Sequence, residues 1–363
     1  MSVQYVKLGD VCAKDSSNIA QKDLKDCFGK YPVYGAGGYI QNVGFYHQED
    51  EYIAIVKDGA GVGRAMILPA KSSVIGTMQY IIPDKNKVDI HYLYYAIINM
   101  ALGKYFSGAT IPHIYFKDYQ KEIFKLPNLK IQKKIADNLK NIDLMIAKKN
   151  KQISLFNELV KSRFIEMFGD VNVNSKKWAL LPLGELCKIV RGASPRPIEK
   201  FLGGTVPWIK IGDATENDDI FLTSTKEHII QDGILKSRLV KANSLIFANC
   251  GVSLGFARII TFNGCIHDGW LALEDIDSRL NKIFLLQSLN QMTEYFRKLA
   301  PAGTQPNLNT SIMKTYKQIV PPLQLQKEFV SFLEQTNKSK LEIQKSIDKL
   351  EILKKSLMQQ YFG

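Results

Sequence analysis

Basic and aromatic residues dominate the side chains of this sequence that are equipped for chemistry. Tyr31, Tyr34, Lys57, Arg64 and Lys71 fall in the first part of the chain, and the last three flank a glycine-rich run, Asp58-Gly-Ala-Gly-Val-Gly63. Arg191, Ser194, Arg196, Lys210 and Arg258 fall in the second part, with Trp208 interleaved. Two short loops, Thr110-Ile-Pro-His113 and Thr304-Gln-Pro-Asn307, contribute His113, Gln305 and Asn307. Arginine pairs with the two acceptors of guanine in the major groove, Asn and Gln pair with adenine, and Lys and Ser hold phosphates. Together these types suit contact with a duplex. Taken singly, each equally suits a solvated surface, and the loop prolines have a structural use in restricting the approach to the segment that follows. The formal net charge of +13 adds weight to a polyanion partner.

Bond-making chemistry is not legible. The histidines (His47, His91, His113, His228 and His267) are scattered, with no HExxH and no spacing suited to a metal or a nucleophile. There is no Walker A sequence and no Asn-Pro-Pro-aromatic motif. The glycine run lacks a following Gly-Lys-Ser/Thr, and Arg64-Ala-Met-Ile-Leu68 reads as a strand, so the run predicts a tight strand connection. Cys12, Cys27, Cys187, Cys250 and Cys265 form no CxxC pair and are expected to be reduced core thiols without a metal. No apolar run is long enough for a membrane span, and the first residues lack the apolar stretch of a secretory signal, so a cytoplasmic protein is expected.

The elements that must carry these residues are written twice. Residues 108–169 align without a gap onto 302–363 at a constant offset of 194, with Pro127 on Pro321, Gln132 on Gln326, Leu139 on Leu333 and Phe168-Gly169 on Phe362-Gly363. An earlier echo, Leu8-Gly-Asp-Val-Cys12 against Leu183-Gly-Glu-Leu-Cys187, has an offset of 175. At the turns Gly59/Gly63 and Gly251/Gly255 the offset is 192, so the second copy has gained 17 residues in between. The pattern predicts globule, long helix, globule, long helix, bounded at 1–128, 129–169, 170–322 and 323–363.

Each long helix carries an apolar seam with alternating three- and four-residue steps. The first runs Ile131, Ile135, Leu139, Ile142, Ile146, Ile153 and Phe156. The second runs Leu325, Phe329, Leu333, Ile343, Ile347 and Leu350, with Leu353 and Leu357 continuing and Thr336 and Lys340 at polar places. That is a coiled-coil pattern, and two matched helices most simply pack on each other. Antiparallel packing would create a pseudo-two-fold axis; parallel packing is not excluded by spacing alone. Strands are expected at 51–57, 64–69 and 74–83, with counterparts at 245–248, 256–261 and 270–273. A helix follows in each copy, at about 89–105 and 281–299.

These residues in this order resemble the specificity subunits of type I restriction–modification systems. The similarity spans essentially the whole chain. It is carried by Phe168-Gly-Asp170 with Trp178, Arg191-Gly-Ala-Ser-Pro-Arg196, Val206-Pro-Trp-Ile-Lys-Ile-Gly-Asp213, Tyr31-Pro-Val-Tyr-Gly-Ala-Gly-Gly-Tyr39, Gly303-Thr-Gln-Pro-Asn307 and Pro321-Pro-Leu-Gln-Leu-Gln326. The resemblance implies an α+β chain with two target recognition domains in pseudo-two-fold arrangement, joined by two long antiparallel coiled-coil helices. Each domain would read half of a split double-stranded DNA site, and the helices would set the unread spacer. Two methyltransferase (modification) subunits would dock on the helices, and restriction (translocase and nuclease) subunits would join them. No cofactor is then expected on this chain; S-adenosylmethionine, ATP and Mg²⁺ would belong to the partners. The rival readings are a self-contained enzyme and a non-catalytic scaffold or anti-restriction mimic without DNA readout. A DNA mimic should be acidic, and this chain is not.

Overall fold

The computed structural model describes residues 4–108, 112–215, 220–251, 253–300 and 307–363. They divide into unit 1, Met1–Gln152 with Ile343–Gly363, and unit 2, Ile153–Glu342. The boundary falls within both long helices, so each unit contains a globule and a segment of each helix.

In unit 1 the chain runs β1 (Gln4–Lys7), β2 (Cys12–Ser16), β3 (Tyr31–Gly35), β4 (Gly38–Val43), β5 (Tyr52–Val56), β6 (Ala65–Leu68), β7 (Ser73–Val74) and β8 (Met78–Pro83). Helix α1 (Ile90–Met100), the turn α2 (Phe116–Tyr119) and β9 (Ile123–Leu126) lead into the long helix α3 (Leu129–Phe168). Unit 2 repeats the plan with additions: β10 (Ala179–Pro182), α4 (Leu183–Leu186), β11 (Lys188–Arg191), β12 (Leu202–Ile209), β13 (Phe221–Leu222), β14 (Glu227–Ile229), α5 (Gln231–Ile234) and β15 (Arg238–Val240). It continues through β16 (Leu245–Ala248), β17 (Ala257–Ile260), β18 (Gly264–Ile266), β19 (Trp270–Glu274), α6 (Lys282–Gln291), α7 (Thr293–Leu299), α8 (Thr310–Thr315) and β20 (Lys317–Val320) to the long helix α9 (Leu323–Phe362).

The sheets show how strict the duplication is. Strand order β2-β8-β5-β6 in unit 1 becomes β11-β19-β16-β17-β13 in unit 2. Register is kept: Ile53 opposes Ile81 as Leu245 opposes Leu273, and Ile55 opposes Ala65 as Phe247 opposes Ala257. A second sheet has a parallel pair at the same place, β3 with β7 and β12 with β18. A two-stranded ribbon, β1–β9 or β10–β20, closes each globule just before its long helix. Alternation of side chains locks such registers, because a slip of one residue would turn every apolar side chain to the wrong face.

The expected strand at 74–83 is two strands. Ile75 donates its amide to Tyr34 and Met78 donates to Ile75, which makes a corner between β7 and β8. Both expected helices after the sheets are also broken. Ala101 takes a left-handed φ of 50° and ends α1, and Met292 separates α6 from α7. The cause is a backbone contact made twice. Gly63 lies so near Gly103 that a Cβ on it would come within 2.3 Å of the Gly103 nitrogen, and a Cβ on Gly255 would meet Thr293 O at 3.0 Å. Only glycine allows that approach together with positive φ, which is why the turn glycines recur at the repeat spacing.

A buried glutamine fastens each long helix to its globule. Gln132 accepts the Asp89 amide at 2.8 Å and donates to the carbonyls of Lys87 (3.0 Å) and Pro127 (2.7 Å). Gln326 accepts the Asn281 amide at 2.8 Å and donates to Arg279 (2.9 Å) and Pro321 (2.7 Å). Asp89 and Asn281 are themselves N-caps, accepting amides of the first turns of α1 and α6. One side chain thus satisfies the cap residue's own amide and the carbonyls on either side of it.

Within each unit the two long-helix segments run antiparallel. In unit 1, Asp143 pairs with Lys354 at 2.6 Å, and Ile135 and Leu139 share a core with Met358 and Phe362. In unit 2, Lys340 donates to Asn157 at 3.0 Å and Phe164 packs edge-on to Phe329. Phe362 and Phe168, the repeated helix ends, meet Tyr92 and Phe284 at centroid distances of 5.0 and 4.7 Å. Ile135, Leu139, Ile142, Phe329, Leu333 and Ile347 are buried, while Ile146, Ile153, Phe156, Leu325, Ile343 and Leu350 are half-buried. Two seam expectations are corrected. Ile131 is 38% exposed because Gln132 takes the inward place, and Leu353 is 46% exposed because Lys354 turns in to meet Asp143. Cys27 and Cys250 are only half-buried, unlike the three core thiols. No helix among the described residues is long and apolar enough to cross a membrane.

Replacing Gln132 by Met keeps its shape and removes three hydrogen bonds. The expected cost is about 2–3 kcal/mol of unit 1 stability. Hydrogen exchange should accelerate at the Asp89 amide and not at Asn281; unchanged protection at Asp89 would show the glutamine to be dispensable.

Candidate nucleic-acid interface

The turn after β5 and the segment leading back to β9 cross in unit 1. Lys57 and Asp58 both donate their amides to Thr77 O (3.0 and 3.2 Å), Ile114 donates to Lys57 O at 3.0 Å, and Gly59 donates to Pro112 O at 2.9 Å. This backbone knot brings three ionisable side chains together. The Asp58 carboxylate accepts from His113 Nδ1, and the Lys57 amine lies 3.4 Å from its other oxygen. Tyr115, half-exposed, packs on His113 at 4.1 Å.

The β3–β4 hairpin carries the aromatic residues. Tyr31 meets Tyr46 edge-on at 4.7 Å, beneath the Lys30 amine. Glu49 links Lys71 (3.3 Å) to the Tyr46 hydroxyl. Tyr34 is half-buried against the small core around Tyr52, while Tyr39, 60% exposed, rises from the hairpin turn. The Arg64 guanidinium donates to Ala36 O in that turn.

Unit 2 ties the same knot with different side chains. Leu308 donates to Asn249 O at 2.8 Å, and Asn249 donates its amide to Gly269 O at 3.0 Å. At the places of Lys57, Asp58 and His113 stand Asn249, Cys250 and Asn307, and the Asn249 side-chain amide reaches Asn307 Oδ1 at 3.3 Å. An ionic set in one unit is thus an amide and thiol set in the other.

Beside it, the turn between β18 and β19 gathers Arg191, Ser194 and Arg196 around Asp268. The carboxylate accepts from Ser194 Oγ at 2.8 Å and Arg196 Nη2 at 3.1 Å, His267 Nε2 lies 2.9 Å from it, and the Asp268 carbonyl accepts from Arg191 Nε at 3.1 Å. Burial alone would raise the Asp268 carboxyl; the Ser194 bond and the Arg196 guanidinium, among the groups around it, outweigh it and hold the group below the usual range. Burial pushes the His267 imidazole down, against the pull of Asp268 and with help from Lys210, Arg196 and Arg191, so it is neutral at pH 7. Lys210 approaches the same cluster; its amide donates to Asp213 at 2.8 Å and its amine pairs with Glu227.

Arg258 does not join this group. It lies mid-strand in β17, is 8% exposed, stacks on Phe256 at 4.7 Å, and lines a groove with Asn157, Val160 and Leu333 of the long helices. Gln305 lies outside the described residues. Reading for positive charge passed over Asp58, His267, Asp268 and the amide of Asn249. The usable signal was the repeat itself: Asp58 against Cys250 and His113 against Asn307 are places where a kept frame changes chemistry. No group of three His, Cys, Asp or Glu among the described residues is arranged to hold a metal.

Comparison with known proteins agrees with this layout. Residues 2–155 and 175–352 match the family model for the type I restriction modification DNA specificity domain. The chain is 26% identical over 342 residues to the type I restriction enzyme MjaVIII specificity subunit of Methanocaldococcus jannaschii, covering 84% of this chain and 77% of that one. It is 23% identical over 302 residues to the putative MjaX specificity subunit of the same organism, covering 76% and 68%. The crystal structure of a type-I restriction-modification S subunit from M. genitalium superposes with a TM-score of 0.63 at 16% identity, covering 100% of this chain and 96% of that one. A structure from work on complex assembly and conformational transition of the type I R-M system gives 0.56 at 13% identity, covering 99% and 97%. These two likenesses concern the fold.

Lys57→Met should reduce the slope of log affinity against log salt by about one for duplex binding. Arg258→Met should leave that slope unchanged and lower stability by about 1 kcal/mol. A salt series by fluorescence anisotropy together with thermal unfolding separates them; equal slopes for the two variants would contradict the placement.

Proposed function

The chain belongs to the type I restriction–modification DNA specificity family, and from that premise we propose that its two units read the two halves of a split duplex site. The carrying observation is one backbone frame, kept in register, with unlike chemistry at matched positions. Lys57, Asp58 and His113 face the task in unit 1; Cys250, Asn307 and the Asp268 cluster face it in unit 2, with the buried Asn249 holding Asn307 from beneath. A frame selected only for packing has no need of different polar groups at its partly exposed turns. A pair of readers for different base sequences does. Lysine and exposed tyrosine supply sequence-independent grip, and the amides and arginines supply donors for base edges.

Recognition is this subunit's contribution, and chemistry is left to partners. Methyltransferase subunits would dock on the long helices, which expose apolar side chains away from their seams: Leu144, Met145, Ile352 and Leu353 in unit 1, and Leu155, Leu159, Ile165 and Leu341 in unit 2. Such exposure along helices already packed on one side suits a further protein surface. Restriction subunits would complete the complex. S-adenosylmethionine, ATP and Mg²⁺ would be bound by those partners. The continuous helices α3 and α9, each of 40 residues, would fix the unread spacer.

Co-expression with the cognate methyltransferase subunit in an unmethylated host should yield methylation at two short half-sites around a fixed gap. An unbroken motif independent of this chain, or no methylation from a stable complex, would favour a scaffold without readout. Inserting four residues after Lys149 and four at the matched middle of α9 lengthens each helix by about 6 Å. The gap should grow by roughly two base pairs at about 3.4 Å each with both half-sites kept; altered half-sites would rule the spacer role out.

A further inference from the structure

We propose that Asp268 is a positioning residue that aims Arg196, with Arg191 beside it, at a guanine in the half-site read by unit 2. This rests on the reading of the two units as recognition domains and specifies what one of them recognises.

The carboxylate is fixed before it meets either arginine. Ser194 donates to Oδ1 at 2.8 Å and the His267 ring nitrogen lies 2.9 Å from the same oxygen, leaving Oδ2 turned to Arg196 Nη2 at 3.1 Å. Arg191 is held through the Asp268 carbonyl at 3.1 Å. The Arg196 side chain is 79% exposed, so without this tether it would sweep many rotamers. A guanidinium has five N–H donors in a planar fork, and Asp268 engages only one edge. The opposite edge of such a fork matches N7 and O6 of guanine. Adenine offers a donor at N6, which the fork cannot accept.

Phosphate is the obvious rival ligand for two arginines, and the charges speak against it. A phosphate clamp gains from every positive charge. Here an ionised carboxylate sits against Arg196, and the imidazole between them and the core carries no compensating charge at pH 7. Asp268 weakens attraction for an anion and sharpens direction, which suits a neutral acceptor edge. At the matched places of unit 1 this cluster is not repeated: Gly76 stands at the place of Asp268 and Ser16 at that of Arg191. The effect should therefore be confined to one half-site.

The test is the methylated motif of the assembled methyltransferase complex, read by single-molecule sequencing for the native chain, Asp268→Asn and Arg196→Lys. Asparagine keeps the shape without the charge; lysine keeps the charge without the fork. Both variants should lose preference for the same single guanine by roughly tenfold or more, with the other half-site and the gap unchanged. An unaltered motif bound more weakly and with a shallower salt dependence would overturn the proposal in favour of phosphate contact. Loss of specificity in both half-sites would overturn it in favour of a purely structural role. A native complex without a split motif would instead remove the two-reader premise, and the proposal with it.

Discussion

Much of this structure hangs on a side chain that is neither charged nor apolar. Gln132 and Gln326 are fully buried at the first turns of the long helices, each closing three hydrogen bonds to a globule. A buried amide is tolerated only when its donors and acceptor are engaged, so the requirement is demanding: cap residue, preceding loop and helix start must all arrive in one geometry. When they do, the direction of the long helix is set by the globule.

The same constraint explains what was free to change. Between the frame positions, unit 2 adds β13, α5 and β15 to the plan of unit 1 without disturbing strand register. Close backbone approaches at Gly63 and Gly255 hold the turns after β5 and β16 against the helical segments behind them. The turn can then exchange an ion pair for amides because its backbone is already satisfied. Specificity changes at low structural cost where the main chain, rather than the side chain, carries the packing.

The repeat made the frame legible in the amino-acid sequence. Ungapped matching located both long helices and the paired glycine turns, and the seam was visible wherever it was apolar. It failed where a buried polar group outranks an apolar neighbour: Ile131 looked inward by pattern, but the hydrogen bonds of Gln132 decide the rotation of that turn. The β3–β4 hairpin and β12 with β14 take the same places in the second sheet but share too little sequence for self-comparison to pair them. The ribbons β1–β9 and β10–β20 join strands too distant in sequence for local pattern to pair them. At the site, positive charge selected Arg191, Arg196 and Lys57 but also the packed Arg258. It overlooked Asp268, whose role depends on a partner 72 residues away.

The division of the long helices has a consequence for inheritance. Unit 2 is one uninterrupted stretch of chain, Ile153–Glu342, whereas unit 1 needs the closing segment Ile343–Gly363 as well as residues up to Gln152. A gene fragment encoding the continuous unit can be exchanged as a single cassette between related genes, with both cuts falling in helices whose pattern is shared. The discontinuous unit cannot travel that way. An exchange of unit 1 has to carry both the residues up to Gln152 and the closing segment, or leave that segment to pack on a globule it was not matched to.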